Sequence, residues 1–432
     1  MSRSGKGAAE SGQKAAAKAP LCDIIVIYVQ WRFPAGRRIM NRQEIIDVSK
    51  KLAAGCAKGE LDVLKKFCAI DCGSRCIEGN KKVVDIICGE LEKIDGISIE
   101  RVFSEGYGEH IVAKLPAEGS DGKIVISAHT DTVFNIGDTA AHPYREEGDT
   151  AWGLGICDCK AGIIVAVNAV KNLQTAGLLP KKDIVFIFNC DEEIGSPSGS
   201  VIIRKEAEGA DAAFVFEPAR EANGFLTSRK GSCAIEIECF GKSAHTGLAY
   251  KDGRSAVLEL CHRIMRLYEH NDDERGIQFN TGKLYGSDYA NNVVPDHARA
   301  TASVRVANKS DIDRVFEIYR EVESEAPYID GTTTTVKVTK VGTPMERTEG
   351  NVRLCNWAAA LGKEMGLDLP EQSSGGSGDA AITSSMGIPS IDALGGYVNA
   401  GTHSYRENLR ISSLPEKTAL FSLILASADD FR

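Results

Sequence analysis

The sequence has no long apolar segment, no block of basic residues and no regular cysteine framework. The apolar run Asp23–Val29 is far shorter than the roughly 20 residues that cross a bilayer. The 51 basic residues are outnumbered by 60 acidic ones, so the net charge of −9 lacks the cationic character of nucleic-acid-binding proteins. The 13 cysteines follow no disulfide spacing, which indicates reduced thiols. We therefore expect a cytoplasmic protein that binds neither membranes nor nucleic acid.

The length and composition are those of a globular protein with more than one domain. The chain has 432 residues, of which 43% are hydrophobic and 26% are charged, whereas a single domain usually has about 100–200 residues. Residues 1–39 begin with an Ala-, Gly-, Ser- and Lys-rich stretch, which predicts a disordered or accessory extension. Met40 begins the first strongly patterned helix, so we expect the folded part to start there.

Helical and strand-like segments alternate through the first half of the chain after residue 40. The helical segments are Gln43–Ala57, Lys81–Ile94, Lys160–Ala176 and Ser198–Glu208, and the strand-like apolar runs are Lys123–Ser127, Asp183–Asn189 and Ala212–Phe216. Strands separated by helices predict an α/β fold with a mostly parallel sheet flanked by helices.

A different order of segments occupies residues 230–342. The order is β-α-β-β-α-β, which is that of a ferredoxin-like α+β module. The segments are Ser232–Phe240, Ser255–Glu269, Ile277–Tyr285, Ala298–Val306, Ile312–Ser324 and Thr332–Val341. We therefore expect a main α/β domain in two parts, residues 40–229 and 343–432, interrupted by an inserted domain at residues 230–342.

Residue types that bind metals occur where the predicted strands end. His129 and Asp131 follow the strand-like run that ends at Ser127, and residues two apart on an extended backbone point to the same side. The Asp131 carboxylate could therefore orient a His129 imidazole that binds a metal. Taken alone, this pair is more often a polar strand end.

Further candidate ligands follow along the chain. Asp158 closes a glycine-bearing loop before a predicted helix, where an aspartate is most often an N-cap. Glu192 and Glu193 follow a very apolar run, and they form either a solvated turn or a metal ligand beside a general base. Glu217 ends another apolar run, and His403 lies near the C-terminus.

Together these residues predict a dinuclear metal site. Side chains that follow parallel strands meet at the usual binding edge of an α/β sheet. Two imidazoles and three carboxylates can hold two Zn²⁺ ions if one carboxylate bridges them, which leaves a position for a water whose pKa falls towards ~7. Co²⁺ or Mn²⁺ in place of zinc is the alternative.

Five motifs in this order resemble a known family. They are Ser127-Ala128-His129-Thr130-Asp131, Gly155-Ile156-Cys157-Asp158-Cys159-Lys160, Asp191-Glu192-Glu193-Ile194-Gly195, Phe216-Glu217-Pro218 and Gly401-Thr402-His403-Ser404. The chain resembles the co-catalytic zinc family of bacterial glutamate carboxypeptidase, aminoacylase, acetylornithine deacetylase and succinyl-diaminopimelate desuccinylase. The resemblance implies a zinc-peptidase-like fold whose inserted domain serves as a lid and dimerisation domain.

The resemblance also implies a role for each residue of the site. The implied metal ligands are His129, Asp158, Glu193, Glu217 and His403. Asp158 would bridge the two ions, Asp131 would be the partner of His129, and Glu192 would be the general base. Cys157 and Cys159, which flank Asp158, are expected to pack in the core.

Outside these motifs, the resemblance implies residues that act on the substrate. His245 resembles the lid histidine that reaches a neighbouring subunit's site and stabilises the oxyanion, so a homodimer is expected. A monomer with a self-closing lid is the alternative. Asn292 resembles the family's lid asparagine, and Arg305 its carboxylate-binding arginine. Gly376 and Ser377 lie in a glycine-rich loop whose amides suit an anionic group.

The resulting prediction is a carboxypeptidase-like zinc hydrolase that cleaves an amide bond beside a free carboxylate in small peptides. An N-acyl-amino-acid deacylase, which cleaves the same kind of bond in acyl-amino acids, is the alternative enzyme. A catalytically silent binding protein of the same fold is the alternative of another class. Because all five ligand positions and Glu192 are filled, the enzyme is favoured.

Overall fold

Helices and strands alternate through the first part of the chain, in agreement with the pattern of apolar residues. The computed structural model describes residues 40–220, 224–399 and 401–431. Up to residue 229 the elements are α1 (Arg42–Cys68), α2 (Ile77–Leu91), β1 (Ser98–Ser104), β2 (Gly108–Leu115), β3 (Lys123–His129), α3 (Asp138–Ala141), β4 (Arg145–Glu147), β5 (Thr150–Trp152), α4 (Gly162–Ala176), β6 (Asp183–Asn189), α5 (Gly199–Ala207), β7 (Ala212–Val215) and β8 (Phe225–Arg229). The extension predicted for residues 1–39 lies outside the described residues.

The later elements form two further groups. The first group is β9 (Gly231–Phe240), β10 (Ala244–His245), α6 (Ala256–Tyr268), β11 (Gln278–Tyr285), β12 (Val293–Val294), β13 (His297–Val306), α7 (Ser310–Ser324) and β14 (Thr333–Gly342). The second group is α8 (Glu349–Glu364), β15 (Glu371–Ser374), α9 (Ala380–Ser385), β16 (Ser390–Ile391), β17 (Asn408–Arg410) and α10 (Ser413–Ala426).

The central sheet has six strands in the order β1-β2-β6-β3-β7-β16. Strand β3 pairs in parallel with both β6 and β7, and β7 pairs in parallel with β16. At one edge, β1 and β2 form an antiparallel hairpin that the sequence pattern does not predict. The predicted mostly parallel sheet is confirmed, since β6, β3, β7 and β16 pair in parallel.

Helices cover both faces of this sheet because successive side chains of a strand point to opposite sides. Ile124 and Ile126 of β3 belong to the core that contains residues of α1, α4 and α10. Val125, between them, packs with Ile203 of α5 and Ile382 of α9. No described helix has both the length and the apolar character that a bilayer-spanning segment needs.

Residues 231–342, called the antiparallel unit below, form a second sheet with its own core. Its four long strands have the order β11-β13-β9-β14 and pair only in antiparallel fashion. Helices α6 and α7 contribute to one core with these strands. This order and connectivity confirm the predicted ferredoxin-like fold, while the division of the chain at residues 229 and 343 stays a prediction.

The chain enters and leaves the antiparallel unit at a single point. Arg229 N donates to Met345 O at 2.9 Å, and Met345 N donates to Arg229 O at 3.0 Å. These two hydrogen bonds form a neck between the antiparallel unit and the main α/β part.

Candidate metal centre

The five predicted ligands lie together at the carboxyl edge of the central sheet. His129 ends β3, and Glu217 follows the neighbouring parallel strand β7. His129 Nε2 lies 3.0 Å from Asp158 Oδ1 and 3.5 Å from Glu217 Oε1. His403 Nε2 lies 3.2 Å from Asp158 Oδ2 and 3.1 Å from Glu193 Oε2. The two oxygens of Asp158 therefore face different histidines, which is the arrangement that a bridging ligand requires.

The electrostatics of the cluster reflect an excess of carboxylates. Burial, followed by the charge of Asp158, raises the pKa of Glu217 to about 8. Burial and the charge of Glu217 raise the pKa of Glu192 well above its usual value, and burial also raises the pKa of Glu193. Hydrogen bonds to Asp158 and Glu193 raise the pKa of His403 to about 11. Carboxylates crowded in this way favour cations among them.

The donor set fits two divalent ions. His129, Asp158 and Glu217 could hold one ion, while His403, Asp158 and Glu193 could hold the other. The ligand atoms of His129, Asp158 and Glu193 all lie within 4.8 Å of one another. Imidazole nitrogen and carboxylate oxygen are the ligands that Zn²⁺ and similar ions take in catalytic sites.

A thiol also approaches the cluster. Cys159 Sγ lies within 4.8 Å of the ligand atoms of His129 and Glu217. The thiol donates to Phe216 O at 2.7 Å, and burial raises its pKa well above the usual value. Because metals bind the thiolate rather than the thiol, Cys159 is a poor ligand here. Cys157 and Cys159 are both fully buried in the core, as expected from the sequence.

Asp131 fixes the turn that carries the acidic pair. Its Oδ1 accepts from Glu192 N at 3.1 Å, and its Oδ2 accepts from Glu193 N at 3.1 Å and from Ser74 Oγ at 2.6 Å. His129 Nδ1 lies 3.4 Å from Asp131 Oδ1 and 3.0 Å from its backbone oxygen. One buried aspartate therefore positions both the end of β3 and the turn after β6.

Glu407 fixes the loop that carries Asp158. Its Oε2 accepts from Gly155 N at 3.0 Å, and its Oε1 accepts from Cys157 N at 2.8 Å and from Asp158 N at 3.0 Å. Burial and the neighbouring Asp158 carboxylate raise the pKa of Glu407 to about 8, although the three amide donors act in the opposite direction.

Two buried charged residues beside the cluster were missed by the sequence reasoning. Arg229 Nε donates to Asp392 Oδ2 at 2.6 Å. Burial lowers the pKa of Arg229, but the charges of Asp392 and Glu217 outweigh this effect, so its pKa is raised. Asp379 accepts from Asn189 Nδ2, at the end of β6, at 2.8 Å. No sequence pattern distinguishes Arg229 from a surface arginine, because its partner lies 163 residues later.

Ser377 contacts Arg229, and Gly376 lies beside the same side chain. Arg229 Nη1 donates to Ser377 O at 3.3 Å, and Gly376 N donates to Ser374 Oγ at 3.1 Å. A Cβ on Gly376 would lie 3.8 Å from Arg229 Nη1. The glycine-rich loop therefore lies over the arginine that neighbours Glu217.

The three predicted residues of the antiparallel unit do not join the cluster. His245 Nε2 and Asn292 Nδ2 are 3.2 Å apart, and both side chains are exposed. Arg305 lies on β13, opposite Gln278 of β11. Within the described residues, no hydrogen bond or ion pair connects these three side chains to a predicted metal ligand. The structure thus brings together the ligands, Asp131 and the Glu192 turn, and leaves His245, Asn292 and Arg305 apart.

Comparisons with known proteins support the same family as the motifs. The profile of peptidase family M20/M25/M40 matches residues 125–427. Carboxypeptidase G2 of Pseudomonas sp. (strain RS-16) is 30% identical over 392 residues, which cover 89% of this chain and 92% of that protein. A succinyl-diaminopimelate desuccinylase of Dinoroseobacter shibae is 25% identical over 355 residues, which cover 76% of this chain and 89% of that protein.

A solved structure has the same fold. Bacillus subtilis YXEP, described as a dinuclear metal-binding peptidase of the M20 family, has a TM-score of 0.63 and 16% identity, over 88% of this chain and 100% of that one. The matched residues 125–427 include every predicted metal ligand, and the predicted family and metal-dependent hydrolase are confirmed. The chain belongs to peptidase family M20/M25/M40 and is a metal-dependent peptidase.

Proposed function

We propose that the protein is a zinc carboxypeptidase-like hydrolase that cleaves an amide bond beside a free carboxylate in small peptides. The observation that carries this proposal is the position of Asp158, whose two oxygens face two different histidines beside the Glu192–Glu193 turn. The likeness to carboxypeptidase G2 along 89% of the chain supports a carboxypeptidase over a deacylase.

The five proposed ligands would bind two metal ions. His129 and Glu217 would hold one ion, His403 and Glu193 the other, and Asp158 both. Bound divalent ions supply Lewis acidity, which polarises an amide carbonyl and makes a neighbouring water more acidic. Zinc is proposed because imidazole and carboxylate are its usual catalytic ligands, and Co²⁺ or Mn²⁺ is the alternative.

Glu192 is proposed as the general base and acid. It would take a proton from the attacking water and deliver it to the leaving amine. Asp131, which accepts from the Glu192 amide, would keep the carboxylate in position.

Residues outside the cluster would bind the substrate. His245 would donate to the developing oxyanion, and Asn292, which contacts it, would orient the imidazole. Arg305 and the amides of Gly376 and Ser377 would bind the free carboxylate beside the scissile bond.

A homodimer would bring His245 of one copy to the metal centre of the other. His245 is exposed, and Leu258 and Met265 expose apolar surface on α6 of the same unit. Strand β11 is an edge strand that also exposes Leu284 and Tyr285. Exposed apolar residues beside an unpaired strand edge are typical of interfaces between chains.

The cytoplasm is the proposed location. Every cysteine in the described part of the chain is a free thiol, and most of these thiols are buried. Reduced, buried thiols are typical of cytosolic proteins.

An N-acyl-amino-acid deacylase is the second candidate, favoured by the likeness to a desuccinylase along 76% of the chain. Both reactions cleave an amide next to a carboxylate. Product analysis on matched dipeptides and acyl-amino acids separates them, since faster release of amino acids from dipeptides supports the carboxypeptidase.

The division of roles between two adjacent glutamates tests the proposal. Glu192→Ala should lower turnover by at least about 10³-fold and retain the metal, because it removes only the proton carrier. Glu193→Ala should lose metal because it removes a ligand. Metal content by mass spectrometry and hydrolysis of a peptide panel are the measurements, with the exposed Glu208→Ala as control. Equal metal loss in both variants would contradict the assigned roles.

A further inference from the structure

His403 differs from the other predicted ligands in its surroundings. Its side chain is 57% exposed, whereas that of His129 is 1% exposed. Its φ of +62° lies in the left-handed region, which side chains other than glycine rarely adopt. The hydrogen bond from Ser404 N to Gly401 O, at 3.0 Å, closes the turn that contains it, and the one from Glu407 N to Ser404 O, at 3.0 Å, closes the next turn. An exposed ligand on an unfavourable backbone conformation needs an anchor elsewhere.

Glu407, four residues later, is the buried end of the second of these turns. Its side chain is 1% exposed and accepts three amide hydrogen bonds, from Gly155, Cys157 and Asp158. The next residue begins β17, which pairs with β5 just before the same loop. Residues 401–407, which carry His403, are therefore joined to the loop that carries Asp158 by one carboxylate.

A buried lysine also binds the loop that carries Asp158. Lys160 is 1% exposed, and its Nζ donates to Leu154 O at 2.8 Å. Glu407 thus accepts hydrogen bonds from amides of the loop, while Lys160 donates one to a carbonyl of the same loop. Because both contacts are buried, the backbone beside Asp158 has little freedom to shift.

We infer that Glu407 is a positioning residue for the second metal ion, the one between His403, Glu193 and Asp158. It sets the position of His403 relative to Asp158 and touches neither substrate nor metal. The first ion shares Asp158 but depends less on Glu407, since His129 ends and Glu217 follows paired, buried strands of the central sheet. This inference rests on the proposed metal centre. It adds that binding of the second ion depends on Glu407 more than binding of the first ion does.

Glu407→Gln tests the inference with little change in size. The glutamine keeps one acceptor oxygen but turns an amide group towards backbone N–H donors, which opposes the contact. Zn²⁺ titration of the full chain against a competing chelator, with metal content by mass spectrometry, should give two tight ions for the wild type. In the variant, the second ion should bind about 10–100-fold more weakly, while the first keeps its affinity.

Glu60→Gln is the matched control. Glu60 is also 1% exposed and accepts from Thr418 Oγ1 at 2.8 Å, in a helical region outside the metal cluster. It should retain two tight ions. Glu407→Asp, which keeps the charge on a shorter side chain, should give an intermediate affinity for the second ion, and a melting curve shows whether each variant is folded.

Three outcomes would overturn the inference. They are two unchanged affinities in Glu407→Gln, two affinities weakened equally, and a loss equal to that in Glu60→Gln. Each result would assign Glu407 a merely structural role. If Glu407→Gln is unfolded, two unchanged affinities in Glu407→Asp would overturn it. A wild-type chain that binds no ion would contradict the proposed function itself, and the inference with it.

Discussion

The carboxyl edge of the central sheet and the antiparallel unit hold buried charge in opposite ways. At the sheet edge, Asp158, Glu193 and Glu217 contact histidines, and within the described residues no lysine or arginine forms an ion pair with them. In the antiparallel unit, buried Arg263 donates from Nε to Glu259 Oε1 at 2.7 Å. The first region leaves its negative charge for a ligand, whereas the second balances its charge internally.

The balanced pair satisfies its hydrogen-bonding groups almost completely. Arg263 Nη1 donates to Val322 O at 2.7 Å, its Nη2 donates to Glu325 O at 2.9 Å, and Glu259 Oε2 accepts from Ile329 N at 2.8 Å. Such a pair connects α6 to the end of α7. The difference teaches that buried charge indicates a functional site only where the surrounding protein leaves it unbalanced.

Removing one partner of the balanced pair should have the largest effect on stability. Arg263→Met leaves the Glu259 carboxylate buried without a cation, so unfolding free energy should fall by about 3–5 kcal/mol. Urea denaturation measures the loss, and metal content per folded molecule should not change. The double variant with Glu259→Leu should recover part of the stability. If Arg263→Met lost metal without losing stability, the contrast between the two regions would be wrong.

Lys417 challenges the comparison because it is a buried, unbalanced charge that no proposed role uses. It is 1% exposed, and in the described part of the chain its Nζ has no hydrogen-bond partner. Burial lowers its pKa from 10.5 to about 8. Lys417→Met should therefore raise the unfolding free energy at pH 7 by about 3 kcal/mol, since each pKa unit is worth about 1.4 kcal/mol.

The pH dependence of that gain gives the control. Below pH 8 Lys417 is charged in both the unfolded and the folded chain, and only the folded chain bears the cost of burying that charge, so the methionine variant has its full advantage. Between pH 8 and 10.5 the advantage should shrink, because the unfolded lysine also becomes neutral. Chemical denaturation at several pH values measures this, and a gain that does not vary with pH would have another cause.

His245→Ala tests whether the antiparallel unit serves the sheet edge. The variant should lower kcat by about 10²-fold, because it removes an oxyanion donor, and should retain its metal. Mixing it with Glu192→Ala should restore part of the activity, since a hybrid dimer would contain one complete site. Steady-state kinetics of the single and mixed proteins measure this. No recovery on mixing would favour a self-contained chain.

Arg305→Ala should give the smallest effect. Loss of one charge-assisted contact to the substrate carboxylate should raise KM about tenfold, with a smaller change in kcat. Arg299, on the same strand and paired with Glu236 at 3.3 Å, is the matched control and should leave KM unchanged as alanine. Equal increases in KM in the two variants would mean that the overall positive charge of the strand, and not Arg305 itself, attracts the substrate.

The sequence predicted the features that depend on order along the chain. The residues that follow β3, β6 and β7 meet because parallel strands end at one edge, so His129, Glu193 and Glu217 could be grouped in advance. The order of segments in the antiparallel unit determined its fold class. These inferences needed only local periodicity and the position of each strand end.

Features that depend on distant or exposed residues were not predicted. Strand β1 was missed because it is an edge strand that buries none of its residues fully, so its pattern is weak. Ser74 bonds Asp131 from 57 residues away, and Arg229 meets Asp392 from 163 residues away. Neither pairing leaves a local signal, since each is created only when the sheet assembles.

The neck at Arg229 and Met345 makes the antiparallel unit, in topological terms, a very long hairpin loop. A short turn could close the same two hydrogen bonds without moving any strand of the central sheet. Arg229 also lies beside Glu217, so the point about which the unit would rotate adjoins the candidate metal ligands. Rotation there would move His245 and Arg305, which lie on the unit, further than the candidate metal ligands, which lie at the edge of the central sheet.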